Sequence, residues 1–507
     1  MTSSPLLLLL LIPGVAGLLL SRLPEGRPAL VRSLAALAAL AQFLVGVYCW
    51  LQPPADLSLT WLPRLGLALE LGLDGISLPL VLLTALLTAM AVLASPADQG
   101  RSRLYFSLML ATNFGVVGAF LARNALLFVL AFELVLIPTT LLVAIWGGER
   151  RAGAATRFLL YGAVSGLSLL AGVLAFGWLG QGAATSTVSF SFEALAATPL
   201  APAAQAWVLA LLLLAFGLKL PVVPLHGWQP FSYSQAPAPV VMLLGGAVSK
   251  LGAYGLLRFG VELLPEAWLA FSPWIAAAGA VSAVYGALNA IAATDIRRLM
   301  AYSSLGHMGL LVLALAAATP LSLQGAVAQV LAHGLIVALL FACVELIQRK
   351  TGTTGIAELS GLMNPIRGLP FTMGLMLLAL MAAAGIPGLA GFPAELLVFE
   401  GSWTVFPRAT LICLVASGFT AVYAVRLFNR VGFGRLDNSR ADWQGTRWAE
   451  RLPAVVLTAL VLLAGVWPVG LTGLSETSTA AIALRHSDAV VRQLALAPPS
   501  PSSSLPA

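Results

Sequence analysis

The sequence predicts an all-α polytopic membrane protein of about 14 transmembrane helices. Three observations lead there. The chain is 59% hydrophobic and only 9% charged, with a mean hydropathy of +0.95, whereas soluble domains carry about 25% charged residues. Its 507 residues hold fourteen apolar runs, centred near 12, 40, 84, 112, 135, 168, 215, 248, 283, 310, 335, 386, 418 and 463. Each approaches the roughly 20 residues needed to cross a bilayer core. The runs are long and continuous, not alternating, which favours helices over a barrel.

The first run, MTSSPLLLLLLIPGVAGLLL, lacks a basic n-region and a clear small-x-small cleavage site. It reads as the first helix and not as a removed signal. Helices 1–3 fill residues 1–95, and Asp74, just before the third, reads as a cap. Residues 96–262 and 263–434 each hold five helices. Residues 181–205 read as a non-cytoplasmic loop. Residues 435–485 hold a polar loop and the last helix, and the Pro/Ser-rich end, 486–507, reads as a disordered tail.

Two helices read as broken, the seventh at GLKLPVVPLHGW and the twelfth at GIPGLAGFPAELL. Gly and Pro at mid-membrane free backbone groups that protein or water must satisfy. The breaks lie five helices apart, an odd number, so helices 4–8 and 9–13 form a candidate pair of inverted five-helix repeats. Paired breaks of this kind point to an ion path.

The net charge of +7 does not indicate nucleic acid. With fourteen helices, 19 of the 27 Lys and Arg fall in loops on one side. The positive-inside rule makes that side cytoplasmic and puts both termini on the other. Cys49, Cys343 and Cys413 are scattered and read as core residues. No GxGxxG, Walker loop or clustered Cys/His spacing occurs, so no nucleotide, flavin, metal or iron–sulfur cluster is expected in this chain.

Glu133, Lys219, Lys250 and Glu395 stand deep in apolar runs. Each charge costs about 2.5–3.5 kcal/mol at a helix centre, on the order of 10 kcal/mol together. Ion pairs that only pack helices are one reading, but buried pairs rarely improve on apolar residues. A proton path is the other. A Glu–Lys pair about 4 Å apart is worth roughly 4 kcal/mol at an effective dielectric near 20. Moving the Glu toward or away from the Lys therefore makes the amine hold or release a proton. Glu133 with Lys219 forms such a switch, Lys250 is the next carrier and Glu395 the exit-side acid. A lone buried His is more often a hydrogen-bonded core residue, but His307 and His333 fall between Lys250 and Glu395, and histidine titrates near neutrality. They read as a relay. His226 follows the first break and reads equally as a path residue or an interfacial cap. Asp295, Arg297 and Arg298 read as a cytoplasmic turn, and Glu345 as a surface partner of Arg349 and Lys350.

The stretches LGLDGISLPLVLLTALL, FVLAFELVLIP, GLKLPVVPLHGW, SKLGAYGLLRF, DIRRLMAYSSLGHMG, AHGLIVALLF and GIPGLAGFPAEL, in this order and spacing, resemble the antiporter-like membrane subunits of complex I. The M-type subunit (chain 4, called D in cyanobacteria and chloroplasts) is the nearest type, since it carries an acid in helix 12 where sister subunits usually carry Lys. The resemblance covers roughly residues 70 to 470. It implies a fourteen-helix fold with helices 7 and 12 broken, in a complex that oxidises NAD(P)H or ferredoxin, reduces quinone and pumps protons. It implies partner membrane subunits, another antiporter-like one among them, and no cofactor in this chain. It also places the switch on Glu133 and Lys219, the central carrier on Lys250, the connecting histidines at His307 and His333, and the exit acid on Glu395. After the first break the family usually carries Asp, a second His and Glu; here those positions are Phe231, Tyr233 and Gln235. SGLMNPIRGLP and FNRVGFGRLDN resemble the cyanobacterial D variants of carbon-dioxide-uptake complexes, implying a thylakoid membrane, plastoquinone, ferredoxin and carbon dioxide hydration at a partner subunit. The alternative is a subunit of a multi-chain sodium/proton antiporter.

Overall fold

A computed structural model describes residues 4–24, 26–181, 188–435 and 445–496. In chain order the first helices are α1 (Ser4–Arg22) and α2 (Pro28–Leu51). A hairpin of β1 (Leu57–Leu62) and β2 (Leu67–Leu71) follows, then α3 (Ser77–Ala94), α4 (Ser102–Leu121), α5 (Ala125–Leu134), α6 (Leu136–Trp146), α7 (Arg151–Gln181), α8 (Phe192–Ala197) and α9 (Pro202–Lys219). Beyond the first break come α10 (Gln229–Gln235), α11 (Ala238–Leu243) and α12 (Lys250–Gly255), with π-helical segments at Leu244–Val248 and Leu256–Glu262. The second half comprises α13 (Pro265–Ala292), α14 (Ile296–Ala317), α15 (Pro320–Thr351), α16 (Pro370–Ala383), α17 (Gly391–Trp403), α18 (Pro407–Gly432), α19 (Trp448–Val466), α20 (Val469–Thr472) and α21 (Glu476–Leu496).

Among the described residues, 13 helices are long and apolar enough to cross a membrane. Two of them, α5–α6 and α11–α12 with its π segments, are composite. The fourteenth run is the twelfth in order, split into α16 and α17 of 14 and 13 residues, each too short alone. The helix starts follow local chemistry. Pro28, Pro202, Pro265, Pro320, Pro370 and Pro407 each open a helix, where the missing N–H has no intrahelical partner to lose. Asn124 caps α5 by accepting from the N–H groups of Leu126 and Leu127, and Thr319 forms a capping box with Ser322.

The all-helical membrane fold stands, with one small addition: Leu57–Leu62 and Leu67–Leu71 pair antiparallel, with Leu57 opposite Leu71, and Gly66 turns the chain at φ 66°. One boundary needs correction. The expected boundary at 486 falls inside α21, which continues to Leu496; only the tail after 496 lies outside the described residues. Residues 182–187 of the 181–205 loop and 436–444 of the polar loop also lie outside them.

The packing is tightest where glycines let backbones meet. Cβ atoms at Gly279 and Gly286 of α13 would lie 2.8 Å from the Gly309 carbonyl and 2.5 Å from the Gly306 nitrogen of α14. This is the small-residue contact that membrane helices use in place of a hydrophobic drive. It turns the Gly306/Gly309 face of α14 toward α13. Gly246 and Gly334 make a second close crossing, each Cβ 3.0–3.2 Å from the other's carbonyl. Four residues beyond that crossing on one helix, Lys250 lies beside His333 on the other. In the N-terminal helices, Asn113 donates to both Gln42 Oε1 (2.9 Å) and Thr88 Oγ1 (2.7 Å), tying α2, α3 and α4 together.

Candidate functional site

The first break ends α9 at Lys219, which is 5% exposed. The backbone groups it frees are taken up by side chains. Trp228 Nε1–H donates to the Leu218 carbonyl at 2.6 Å, and the Val223 N–H donates to Ser282 Oγ at 3.0 Å. The Lys219 Nζ lies 4.4 Å from the centroid of the Phe132 ring. Glu133, next along α5 and beside the interruption of that span at Val135, couples electrostatically to Lys219. Their N···O separation nonetheless exceeds the 4.0 Å of an ion pair. The Glu133 carboxylate lies instead against Gly166 of α7, in space that a Cβ at 166 would fill. The expected pair is adjacent but open.

Lys250 begins α12 between the two π segments, a local geometry often found at functional positions. Glycine seats this helix against the first break: a Cβ at Gly252 would lie 2.7 Å from the Leu220 nitrogen and 2.8 Å from the Phe216 carbonyl. Lys250 is fully buried; its Nζ lies 2.7 Å from His333 Nδ1 and 3.6 Å from Met308 Sδ. The His333 and His307 rings have centroids 5.6 Å apart, tilted by 53°. His307 Nδ1 lies 3.4 Å from Glu395 Oε1 and 3.5 Å from Gln329 Nε2. An amide presents either a donor or an acceptor, so Gln329 suits either state of the ring. Glu395 Oε2 accepts from Ser417 Oγ at 2.7 Å. A cavity of about 10 Å³, near the size of one water, adjoins His307, Ser417, Thr420 and Tyr423. Glu395 owes its position to the second break: Gly385 and Gly388 carry φ of 68° and 87°, values that L side chains rarely adopt. The structure thus joins Lys250, His333, His307 and Glu395 into one buried line.

His226 stands apart. No hydrogen bond or ion pair among the described residues joins it to that line. Its ring packs edge-on against Tyr285 at 4.8 Å, in a cavity of about 770 Å³ that Arg150, Arg157, Asp295 and Arg298 also line. The positions that depart from the family pattern hold structure here. Phe231 carries the Arg157 guanidinium at 4.2 Å, Tyr233 is buried, and Gln235 accepts from the Arg150 N–H at 3.0 Å. Arg297 is buried and donates to the Tyr233 and Ala236 carbonyls, securing the end of α10. Asp295 caps α14. Arg349 pairs with Glu345 at 2.9 Å, while Lys350 turns to Glu450 of α19 at 3.2 Å.

Sequence reading missed Gln329 and Ser417, neutral side chains without a motif, and it saw only half of Asp74. That residue does cap α3, accepting from Ile76 and Ser77 at 2.9 Å, but it also pairs with Arg123 at 3.1 Å and with Arg258. Arg258 and Glu262 continue the network to Arg485 of α21. Burial disfavours the Asp74 charge, yet the two arginines and the two N–H groups outweigh it and hold its carboxyl well below the usual carboxylate range.

The two broken spans and the line of buried ionisable groups between them define a polytopic membrane protein of the antiporter-like class. Residues 122–420 match the family model described as NADH:quinone oxidoreductase/Mrp antiporter, transmembrane. NAD(P)H-quinone oxidoreductase chain 4 of Synechococcus sp. (strain WH7803) is 37% identical over 91% of this chain and 85% of its own length. A chain of respiratory complex I from Thermus thermophilus superposes with a TM-score of 0.86 at 30% identity, covering 94% of this chain and 99% of that one. A chain of the Mrp complex from Dietzia sp. DQ12-45-1b shares the fold, with a TM-score of 0.83 at 21% identity over 96% and 99% of the two chains. The chain belongs to the NADH:quinone oxidoreductase/Mrp antiporter membrane family.

Proposed function

We propose that this chain is the chain 4-type, proton-translocating membrane subunit of a complex I-type NAD(P)H or ferredoxin:quinone oxidoreductase. The observation that carries the reading is the buried line Lys250–His333–His307–Glu395, with Lys219 and Glu133 open beside the first break. Lys250 and His333 at hydrogen-bonding distance and His307 and Glu395 at near-bonding distance, with the two imidazole centroids 5.6 Å apart between them, pass protons by small movements, and a helix packed only with apolar residues would be cheaper if transport were not required. Electron transfer belongs to partner subunits, and this chain carries no redox centre. Redox events there shift Glu133 relative to Lys219, and the resulting change in charge passes to Lys250 and on to Glu395.

The membrane is a thylakoid, by kinship with cyanobacterial chain 4, and quinone there is plastoquinone. The basic side faces the cytoplasm and both termini the opposite side. Helices 4–8 and 9–13 form the inverted repeats, in keeping with breaks five spans apart. The antiporter alternative draws on the Mrp likeness, which at 21% identity speaks for the fold alone. Lys219→Ala is expected to abolish proton pumping and strongly lower quinone-coupled electron flow in the assembled complex. Unimpaired pumping by that variant would refute the reading. Salt tolerance conferred by co-expression with neighbouring genes, without quinone reduction, would establish the antiporter instead.

A further inference from the structure

Phe132 and Glu133 are consecutive on α5 and offer the Lys219 ammonium two different surfaces. The ring centroid is 4.4 Å from Nζ, within the roughly 6 Å over which an aromatic face attracts a cation. The carboxylate lies beyond the 4.0 Å of an ion pair, lodged against Gly166. Lys219 is 5% exposed and Phe132 1%, so water competes little for the charge. Phe128 and Phe216 pack on Phe132 with centroids at 5.9 and 6.3 Å and hold it as a fixed platform. Lys219 is the last residue of α9 before the break.

We propose that Phe132 is a positioning residue for Lys219, its ring being the station that holds the ammonium while the Glu133 pair is open. The argument rests on the proton-translocating reading. A ring–cation contact shifts an equilibrium by about 2-fold when exposed and about 30-fold when desolvated, whereas a closed Glu–Lys pair at about 4 Å shifts it by roughly a thousandfold. The ring therefore wins only while Glu133 is drawn back into the Gly166 notch or carries a proton. In the closed state the carboxylate holds Lys219 protonated. In the open state the ammonium rests on the ring, passes one proton to water in the break and becomes a neutral amine; it regains one proton before the pair closes. Without the ring, the opened charge has no stabilising surface in an apolar pocket, and opening becomes rarer.

The test replaces Phe132 with mono-, di- and trifluorophenylalanine in the assembled complex. Fluorination drains the ring's negative face with little change in shape. Proton pumping per unit of complex is expected to fall step by step along the series, reaching about a 2- to 30-fold loss, and cyclohexylalanine is expected to match the trifluoro variant. A flat or unordered series, with assembly intact on native gels, overturns the proposal. The two failures are separable: if Lys219→Ala pumps normally the translocation reading falls, whereas a flat series alongside an inactive Lys219→Ala removes only the role of Phe132.

Discussion

Replacing His333 isolates the step on which the buried line depends. Lys250 is fully buried, and among the described residues its amine has two hydrogen-bonding neighbours, His333 Nδ1 at 2.7 Å and Met308 Sδ at 3.6 Å. His333→Leu keeps the site filled but leaves only the thioether, a weak acceptor. A hydrogen bond to a charged group contributes about 1.5–3 kcal/mol, and its loss with the charge still buried slows any step through protonated Lys250 by roughly 10- to 150-fold. His333→Gln separates positioning from titration, because the amide can accept from the ammonium but cannot carry a proton onward. The assay is dye quenching in sealed vesicles holding the assembled complex, normalised to quinone reduction. His333→Leu is expected to lose most pumping, and His333→Gln to assemble normally yet pump poorly. In a Lys250→Ala background either substitution should add little, since both interrupt one line. Pumping above half of wild type in His333→Leu, or additive losses in the double variant, would refute the reasoning.

Three further outcomes are expected. Asp74→Asn removes the shared partner of Arg123 and Arg258 and should cost about 1.5–3 kcal/mol of stability. Because the folded-state carboxyl of Asp74 is depressed, that contribution is full above the unfolded value near about 4 and is lost as pH falls toward the folded value. The gap in thermal unfolding between wild type and variant in detergent should thus be constant near neutrality and narrow in acid. Gly286→Leu drives a Cβ into the Gly306 backbone and should destabilise the α13–α14 contact by about 1–3 kcal/mol, read as reduced assembled complex on native gels. Affinity purification through this chain should recover membrane subunits and quinone-reductase subunits, and a carbonic-anhydrase-like chain in the same eluate would mark the carbon-dioxide-uptake form.

What the sequence revealed and what it hid divide along physical lines. The spans were legible because hydropathy is local, and the breaks because Gly and Pro within an apolar run have few other uses. Lys250, His307, His333 and Glu395 stood out because a charge in such a run is expensive, and the structure does bring them together. The open state of Glu133 and Lys219 was not legible, since a sequence names partners but not which of two nearby arrangements is occupied. Asp74 and Arg258 lie 184 positions apart, and the tertiary fold brings them together. The β1–β2 hairpin escaped notice because its alternation is short and flanked by long helical runs. Helix α21 was hidden by the Pro/Ser-rich residues that follow it.

On the proposed function, protons cross through the buried Lys250–Glu395 line, driven by electron transfer elsewhere in the complex. The most direct measurement is the number of protons moved per quinone reduced in vesicles bearing Lys250→Ala, with assembly verified on native gels. The account predicts that this ratio falls and that quinone reduction slows. An unchanged ratio with a fully assembled complex would contradict it and leave the buried charges a purely structural role.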